Sequence, residues 1–253
     1  MDDLGIVTSV HGIDADWKLE NFVKSVWWQK PISEFIMVEY GSEPETARGV
    51  KELCKSHGVR YIGVGVDAEK PYGRYSMGVA LNIGIKRCMT NYIVSVCADL
   101  VLGPHFGEAC LEEYKTDPNA LITCRHRDVL EDDVPEIVVT NPETYLLNEY
   151  DHTVIGASRK WWLKLKGFDE RYAGCFVVDN DLVDRAKATG MNWREIHDKA
   201  DIFHVKHSHR TDQGLPKMFG EEATPNDRTW GTVGRVVDHG RYGLVKLEAR
   251  PWP

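Results

Sequence analysis

The first hundred residues alternate short apolar runs with amphipathic segments, and this alternation constrains the fold more than any other feature of the chain. The apolar runs are rich in β-branched residues, whereas the segments between them carry apolar residues at helical spacing, as at Leu19, Phe22, Val23 and Val26. Alternating strands and helices form a mainly parallel sheet with helices on both faces, so we predict an α/β fold. The predicted strands are 4–10, 34–39, 59–66 and 91–99, and the predicted helices lie near 19–27, 44–58 and 76–89.

The second half of the chain is less regular. Strand-like runs are found at 120–127, 135–140, 153–157, 193–196 and 201–205, and helical patterns begin near Ser158 and just before Leu182. From Thr211 onward the sequence is rich in glycine, proline and charge, which is typical of loops. We therefore predict one domain over 1–210 and a C-terminal extension over 211–253, which is a candidate lid.

Charge and cysteine content exclude several classes of protein. The net charge of −8 disfavours binding to a nucleic-acid backbone. None of the six cysteines forms a CxxC pair, so we interpret them as small buried hydrophobic residues in a reducing compartment. The N-terminus lacks the pattern of a signal peptide, and no apolar run reaches 18 residues. We expect a soluble, cytoplasmic protein without a transmembrane segment.

Polar residues follow several of the predicted strands. Ligands of open parallel sheets lie beyond the carboxyl ends of the strands, so residues 9–11, 39–42, 67 and 97–99 are candidates for a site. Glu39 and Asp99 end two strongly apolar strands. Burying a carboxylate without a partner is costly, so each acid is expected to face a ligand, a metal or a loop. The alternative is that each acid is simply exposed to solvent.

Two further groups of polar residues lie nearer the C-terminus. Asp179 and Asp181 start a predicted helix, where an acid caps the helix and is stabilised by its dipole; one acid would suffice for that. His204, His207 and His209 lie within six residues, and imidazoles suit transition metals. Clustered histidines on a surface are the simpler interpretation of that run.

Four stretches of the sequence resemble the family 2-like glycosyltransferases with the GT-A fold. "NIGIKRCMTNYIVSVCADLVLGPHF" resembles the family block that carries the D-x-D motif, and "VEYGSEPET" resembles its "VDDGSxDxT" strand end. "TVIGASRKWWLKLKGFDERYAGCFVVDNDLVDRAKATG" is similar to the block that contains the family's Glu-Asp pair. This block and the following "VKHSHR" are also similar to the β-1,4-galactosyltransferases. The resemblance spans about residues 4–210. It implies a GT-A fold, with a nucleotide-binding half over 1–100 and an acceptor and catalytic half over 101–210.

The resemblance also implies roles for individual residues. Asp179 takes the position of the catalytic base. Asp181 takes that of the following acid and is the second candidate catalytic residue, expected to bind acceptor hydroxyls or to cap the helix. The cation, Mn²⁺ or Mg²⁺, is expected on Asp99, His207 and His204. Residues expected to bind the nucleotide-sugar donor are Ser9, His11, Glu39, Gly41, Ser42, Asn82 and Asp99. Because aromatic rings stack on sugars, Tyr172, Phe176 and Trp161 are candidates for binding a carbohydrate or another hydroxyl acceptor.

Four positions depart from the family pattern. Cys97 stands in place of the first Asp of D-x-D, Val178 in place of the Glu of Glu-Asp, Leu81 in place of an Arg, and Tyr40 in place of an Asp. The predicted function is metal-dependent, inverting transfer of a sugar, most readily from a UDP-sugar. The departures keep open a non-catalytic or donor-hydrolysing binding protein. A sugar nucleotidyltransferase is a weaker alternative, because its glycine-rich loop is missing after "IVTSV".

Overall fold

The computed structural model describes residues 3–65, 76–129, 153–169 and 178–205. The predicted strand at 135–140, His207, His209, Tyr172, Phe176 and the extension at 211–253 lie outside these ranges. The first elements are β1 (Leu4–Val10), α1 (Trp17–Trp27), β2 (Ile32–Tyr40), α2 (Pro44–Ser56), β3 (Arg60–Val64), α3 (Met77–Arg87) and β4 (Tyr92–Val96). They are followed by β5 (Leu100–Leu102), α4 (Phe106–Thr116), β6 (Ala120–Cys124), β7 (Arg127–Val129), β8 (Val154–Ser158), α5 (Arg159–Leu165), α6 (Val178–Ala188), β9 (Asn192–Glu195) and β10 (Ile202–Val205).

Within the described ranges, seven strands form the central sheet, in the order β3-β2-β1-β4-β8-β6-β9. Strands β1 to β4 pair in parallel, and so do β6 and β9, whereas β8 is antiparallel to β4 and β6 on either side of it. All strands of this sheet except β8 therefore run in one direction. Their carboxyl ends meet at one edge of the sheet, which we call the carboxyl edge.

The sheet is buried on both faces, as the continuous apolar runs of the strands predict. One face packs against α1, α2 and α4, with Phe22, Val50 and Tyr114 in that core. The other face packs against α3, α5 and α6, with Ile83, Trp162 and Leu182 in that core. The predicted α/β architecture, with a mainly parallel sheet between two layers of helices, is confirmed.

Local sequence explains where the helices begin. Asp16 caps α1, because its Oδ1 accepts the backbone N–H of Lys18 at 2.9 Å and of Leu19 at 3.2 Å. Pro44 occupies the first turn of α2. A backbone N–H in this turn would have no partner within the helix, so the lack of an N–H in proline breaks no hydrogen bond. The longest helix among the described residues has 13 residues, and none of the described helices is long and apolar enough to cross a membrane.

A second sheet of three short strands lies beyond the carboxyl edge, in the order β5-β10-β7. Strand β10 is antiparallel to β5 and parallel to β7, so His204 has Leu100 as its partner on one side and Asp128 on the other. The prediction that β4 extends to Asp99 is wrong: the strand ends at Val96, and Asp99 lies in the turn before β5. This turn brings Asp99 next to the three-stranded sheet.

Candidate functional site

The ends of β1 and β2 are tied together by hydrogen bonds. The backbone N–H of Gly12 donates to Ser42 Oγ at 2.8 Å, and His11 Nδ1 donates to the carbonyl of Tyr40 at 2.7 Å. Since a carbonyl only accepts, the Nδ1 of His11 carries a proton in this contact. Gly41 takes a left-handed φ of 67° in the turn between these residues, a conformation that favours glycine.

Glu39 is the buried acid of this part of the carboxyl edge, with 4% of its surface exposed. Its Oε1 accepts the backbone N–H of Ser42 at 2.6 Å, and its Oε2 accepts the hydroxyl of Tyr61 at 3.3 Å. Burial and the charge of Glu39 raise the pKa of Tyr61 to about 12. The protein thus holds both oxygens of Glu39 in place, and each retains a further lone pair that can accept a hydrogen bond.

Two other predicted donor-binding residues are buried. Ser9 lies within β1, opposite Val38 of β2. Asn82, on α3, donates to the carbonyl of Phe168 at 2.9 Å and accepts the N–H of Phe168 at 2.8 Å. Asn82 therefore anchors the loop that precedes residues 170–177. Contact of Ser9 and Asn82 with a donor stays a prediction.

Asp179 lies at the carboxyl edge because of how α6 packs. Helix α3 ends near the start of β3, where Arg60 donates to the carbonyl of Arg87, so α3 begins at the opposite, carboxyl edge. At that end α3 and α6 are in close contact: Gly78 lies so near Val178 that a Cβ atom added to the glycine would be 3.1 Å from Val178 Cγ2. Since Val178 is the first residue of α6, the partly exposed Asp179 follows directly at this edge.

Asp181 is in a different environment from Asp179. Its Oδ2 accepts a hydrogen bond from Arg185 Nε at 2.9 Å, and the side chains of the pair are only 4% and 3% exposed. Arg185 also donates to the carbonyls of Leu165 and Gly167, each at 2.9 Å. This pair joins α6 to the end of α5 and gives Asp181 a structural role.

Four side chains form a continuous cluster at the other end of the carboxyl edge: Asp99, His126, Asp128 and His204. His204 lies between two carboxylates, with Nε2 at 3.5 Å from Asp99 Oδ2 and Nδ1 at 2.9 Å from Asp128 Oδ1. His126 Nε2 lies 3.4 Å from the same oxygen of Asp128. Both histidines are buried, whereas the side chains of both acids are about a third exposed.

The two carboxylates change the protonation of His204. Burial by itself lowers the pKa of His204, but its interactions with the carboxylates of Asp99 and Asp128 outweigh the effect of burial and raise the pKa to about 9. The imidazole therefore carries a positive charge near neutral pH in the metal-free protein. A cation that binds this histidine must displace one of its protons.

The donor set of this cluster fits a divalent transition metal. Imidazole nitrogens and carboxylate oxygens together suit Mn²⁺ and Zn²⁺, whereas Mg²⁺ prefers oxygen ligands. Candidate ligand atoms of His126, Asp128 and His204 all lie within 4.8 Å of one another. The predicted ligands Asp99 and His204 are neighbours in space, with 3.5 Å between Asp99 Oδ2 and His204 Nε2. The third predicted ligand, His207, lies outside the described residues.

The structure places Trp161 away from both groups. Ser158, at the end of the antiparallel strand β8, pairs with Tyr92 at the start of β4, so α5 begins at the edge opposite the carboxyl edge. Trp161 Nε1 donates to Asn119 Oδ1 at 3.0 Å, and Lys164 Nζ lies 3.9 Å from the centre of a Trp161 ring. For these reasons we do not include Trp161 in the candidate site.

Sequence reasoning missed three residues of the site: Tyr61, His126 and Asp128. His126 and Asp128 are separated by a single residue, a spacing that places two side chains on one face of a strand. That pattern in "RHRD" was the available indication. Tyr61 shows no such pattern, because its contact with Glu39 depends on the pairing of β2 with β3.

No known family model matches this sequence, and no curated protein matches it. Among solved structures, the chain is similar to TarS of S. aureus, with a TM-score of 0.59 and 10% sequence identity. The similarity covers 81% of this chain but 37% of the TarS chain. TarS is a GT-A-type glycosyltransferase. At this identity the similarity shows the fold alone: the chain has the GT-A fold, a mixed α/β architecture around a seven-stranded sheet.

Proposed function

We propose that this protein is a metal-dependent glycosyltransferase that transfers a sugar from a nucleotide-diphosphate donor, most readily a UDP-sugar, to an acceptor hydroxyl with inversion. The observation that carries the proposal is the convergence of functional groups at the carboxyl edge. Glu39, the pair Asp99 and His204, and the helix start with Asp179 all lie along it. Ligands of open α/β sheets bind at this edge.

The ends of β1 and β2 are proposed to bind the nucleoside. Glu39 is fixed by Ser42 and Tyr61, which leaves its remaining lone pairs to accept the imide N–H of a uracil ring. A base is a more favourable neighbour for this carboxylate than a phosphate, because phosphate and carboxylate repel each other. Gly41 and Ser42 complete the turn beside it.

Asp99 and His204 are proposed to hold the cation, together with His207. The ion would act as a Lewis acid that neutralises the charge on the departing nucleotide diphosphate. The chain's own contribution is to bring a carboxylate and an imidazole from distant segments to within 3.5 Å of each other.

Asp179 is proposed to be the general base. A carboxylate in the first turn of α6 is stabilised by the helix dipole, which keeps it available to accept a proton. Removal of the acceptor's proton during attack on the anomeric carbon is typically worth about 10²–10⁴-fold in rate. Asp181 is paired with Arg185, so it supports the helix that carries the base.

One observation favours a second candidate, a GT-A-like protein that binds nucleotide-sugars without transferring them. Val178 stands in place of the acid that precedes the base in the resembling family, and it is fully buried against Gly78. This position of the chain serves packing instead of chemistry. Cys97 is likewise held at the sheet, where its N–H donates to the carbonyl of Thr153 at 3.2 Å.

A nucleotide-release assay tests the proposal. The full chain is incubated with UDP- or GDP-sugars and Mn²⁺, and free nucleotide is measured over time. Slow release of UDP that is abolished by Asp179→Asn supports the transferase. Binding of the nucleotide-sugar without any formation of free UDP would support the second candidate. Absence of both binding and UDP formation would reject both candidate functions.

A further inference from the structure

His204 links two carboxylates through its two ring nitrogens, and the strand register creates this arrangement. His204 of β10 is paired with Asp128 of β7 on one side and with Leu100 of β5, the neighbour of Asp99, on the other. A histidine that binds a metal ion through one ring nitrogen typically donates the N–H of its other nitrogen to a hydrogen-bond partner. The distance from Nε2 to Asp99 and the distance from Nδ1 to Asp128 indicate which nitrogen faces the metal and which makes the hydrogen bond.

The Nε2 side has the spacing of two metal ligands. Atoms about 2.1–2.2 Å from an ion and about 90–110° apart are separated by roughly 3.0–3.6 Å. The separation of Nε2 from Asp99 Oδ2, 3.5 Å, lies within that range and is long for a hydrogen bond.

The Nδ1 side has the spacing of a hydrogen bond. Nδ1 lies 2.9 Å from Asp128 Oδ1, a distance typical of N–H···O contacts. His126 also contacts Asp128: its Nε2 lies 3.4 Å from the same oxygen, and its Nδ1 lies 3.3 Å from Thr153 Oγ1. His126 is 2% exposed and its ring centre lies 5.0 Å from that of His204, so a buried imidazole contacts Asp128 beside His204.

We propose that Asp128, supported by His126, is the positioning residue of the metal centre: it accepts the Nδ1 proton of His204 and so directs Nε2 toward the cation at Asp99. A carboxylate in this place fixes both the tautomer and the orientation of a metal-bound histidine. The inference rests on the proposed function only in assuming a cation at Asp99. It is tested without nucleotide, so its failure is distinguishable from failure of sugar transfer.

The first test is binding of Mn²⁺ alone to the full chain, measured from the fraction of free ion by electron paramagnetic resonance. Loss of such a partner typically weakens metal binding about 10–100-fold, so we expect a weakening of that size for Asp128→Ala. Asp128→Asn keeps an acceptor for Nδ1 and should lose less. Asp201→Ala is the matched control, because it removes a carboxylate bonded to Arg127 next to the same three-stranded sheet.

Three results would overturn the proposal: no binding of Mn²⁺ to the wild-type chain, an affinity of Asp128→Ala within twofold of wild type, or an equal loss in Asp201→Ala. Far-UV circular dichroism of each variant in EDTA checks that it is folded.

The second test identifies the bound nitrogen and does not depend on any variant of Asp128. The chain is labelled with ¹⁵N-histidine and loaded with Zn²⁺, and long-range ¹H–¹⁵N correlation spectra are recorded. The ring of His204 is assigned by its loss in His204→Gln. We expect a metal-bound Nε2 and a protonated Nδ1. A metal-bound Nδ1 would mean that Asp128 and His126 are themselves ligands, and it would overturn the proposal.

Discussion

Replacing Asp181 by Asn should destabilise the protein while leaving the chemistry of the site in place. The substitution removes the carboxylate charge that pairs with the guanidinium of Arg185, and both side chains are too buried for water to screen the loss. Breaking a buried ion pair by removing one partner costs about 3–5 kcal/mol. Arg185 keeps its hydrogen bonds to Leu165 and Gly167, and an Asn side chain can still accept one, so we expect the lower end, about 3 kcal/mol. For a domain of this size that corresponds to a fall in Tm of about 6–12 °C.

The assay is urea unfolding followed by circular dichroism, beside the rate of nucleotide release at a temperature where the variant is folded. Asp184→Asn is the matched control, since it makes the same change on the same helix at a partly exposed position, and it should shift stability by about 0.5 kcal/mol or less. If Asp181→Asn unfolds like the wild type but releases no nucleotide, Asp181 acts in the chemistry and the structural assignment is refuted.

Three further predictions concern the carboxyl edge. Asp179→Asn should lower turnover at saturating donor about 10²–10⁴-fold with little change in Tm, because the charge of a partly exposed acid in the first helical turn stabilises the helix by only about 0.3–1 kcal/mol; normal turnover would exclude Asp179 as the base. Glu39→Gln should raise the Kd for UDP about tenfold or more through loss of a charged acceptor, with an unchanged circular dichroism spectrum; an unchanged Kd would remove Glu39 from the nucleotide site. In EDTA, protonated His204 should stabilise the fold by about 3 kcal/mol below pH 6.5, and this contribution should disappear as the pH rises through about 9, because its pKa is higher in the folded than in the unfolded chain. His204→Gln should flatten that part of the stability profile, and an unaltered profile would contradict the account of the cluster.

Much of the fold follows from local sequence patterns. The strands and helices of the first half have unbroken apolar runs and clear helical spacing, so β1 to β4 and α1 to α3 are predicted with small errors at their ends. Strands β5 and β7 have three residues each and are too short to show any periodicity. Helix α4 does carry a helical pattern, at Phe106, Ala109, Cys110 and Tyr114, that sequence reasoning overlooked.

The candidate site was predictable only where it depends on the end of a single strand or helix. Glu39 and Asp99 follow apolar strands, and Asp179 starts a helix, so each is visible in the sequence. The partnership of Asp128 with His204 joins residues 76 positions apart through the pairing of two short strands. Conversely, Trp161 has the residue type expected of a sugar-binding site, but the antiparallel direction of β8 carries it to the opposite edge of the sheet.

The most direct test of the central claim is calorimetric titration of UDP into the full chain, with Mn²⁺ and with EDTA. If the carboxyl edge is a metal-dependent nucleotide site, Mn²⁺ should tighten UDP binding, and Asp99→Asn should lose most of that gain. Equal affinity for UDP in Mn²⁺ and in EDTA would remove the metal from the account. Absence of UDP binding in both would contradict the assignment of this edge as the donor site.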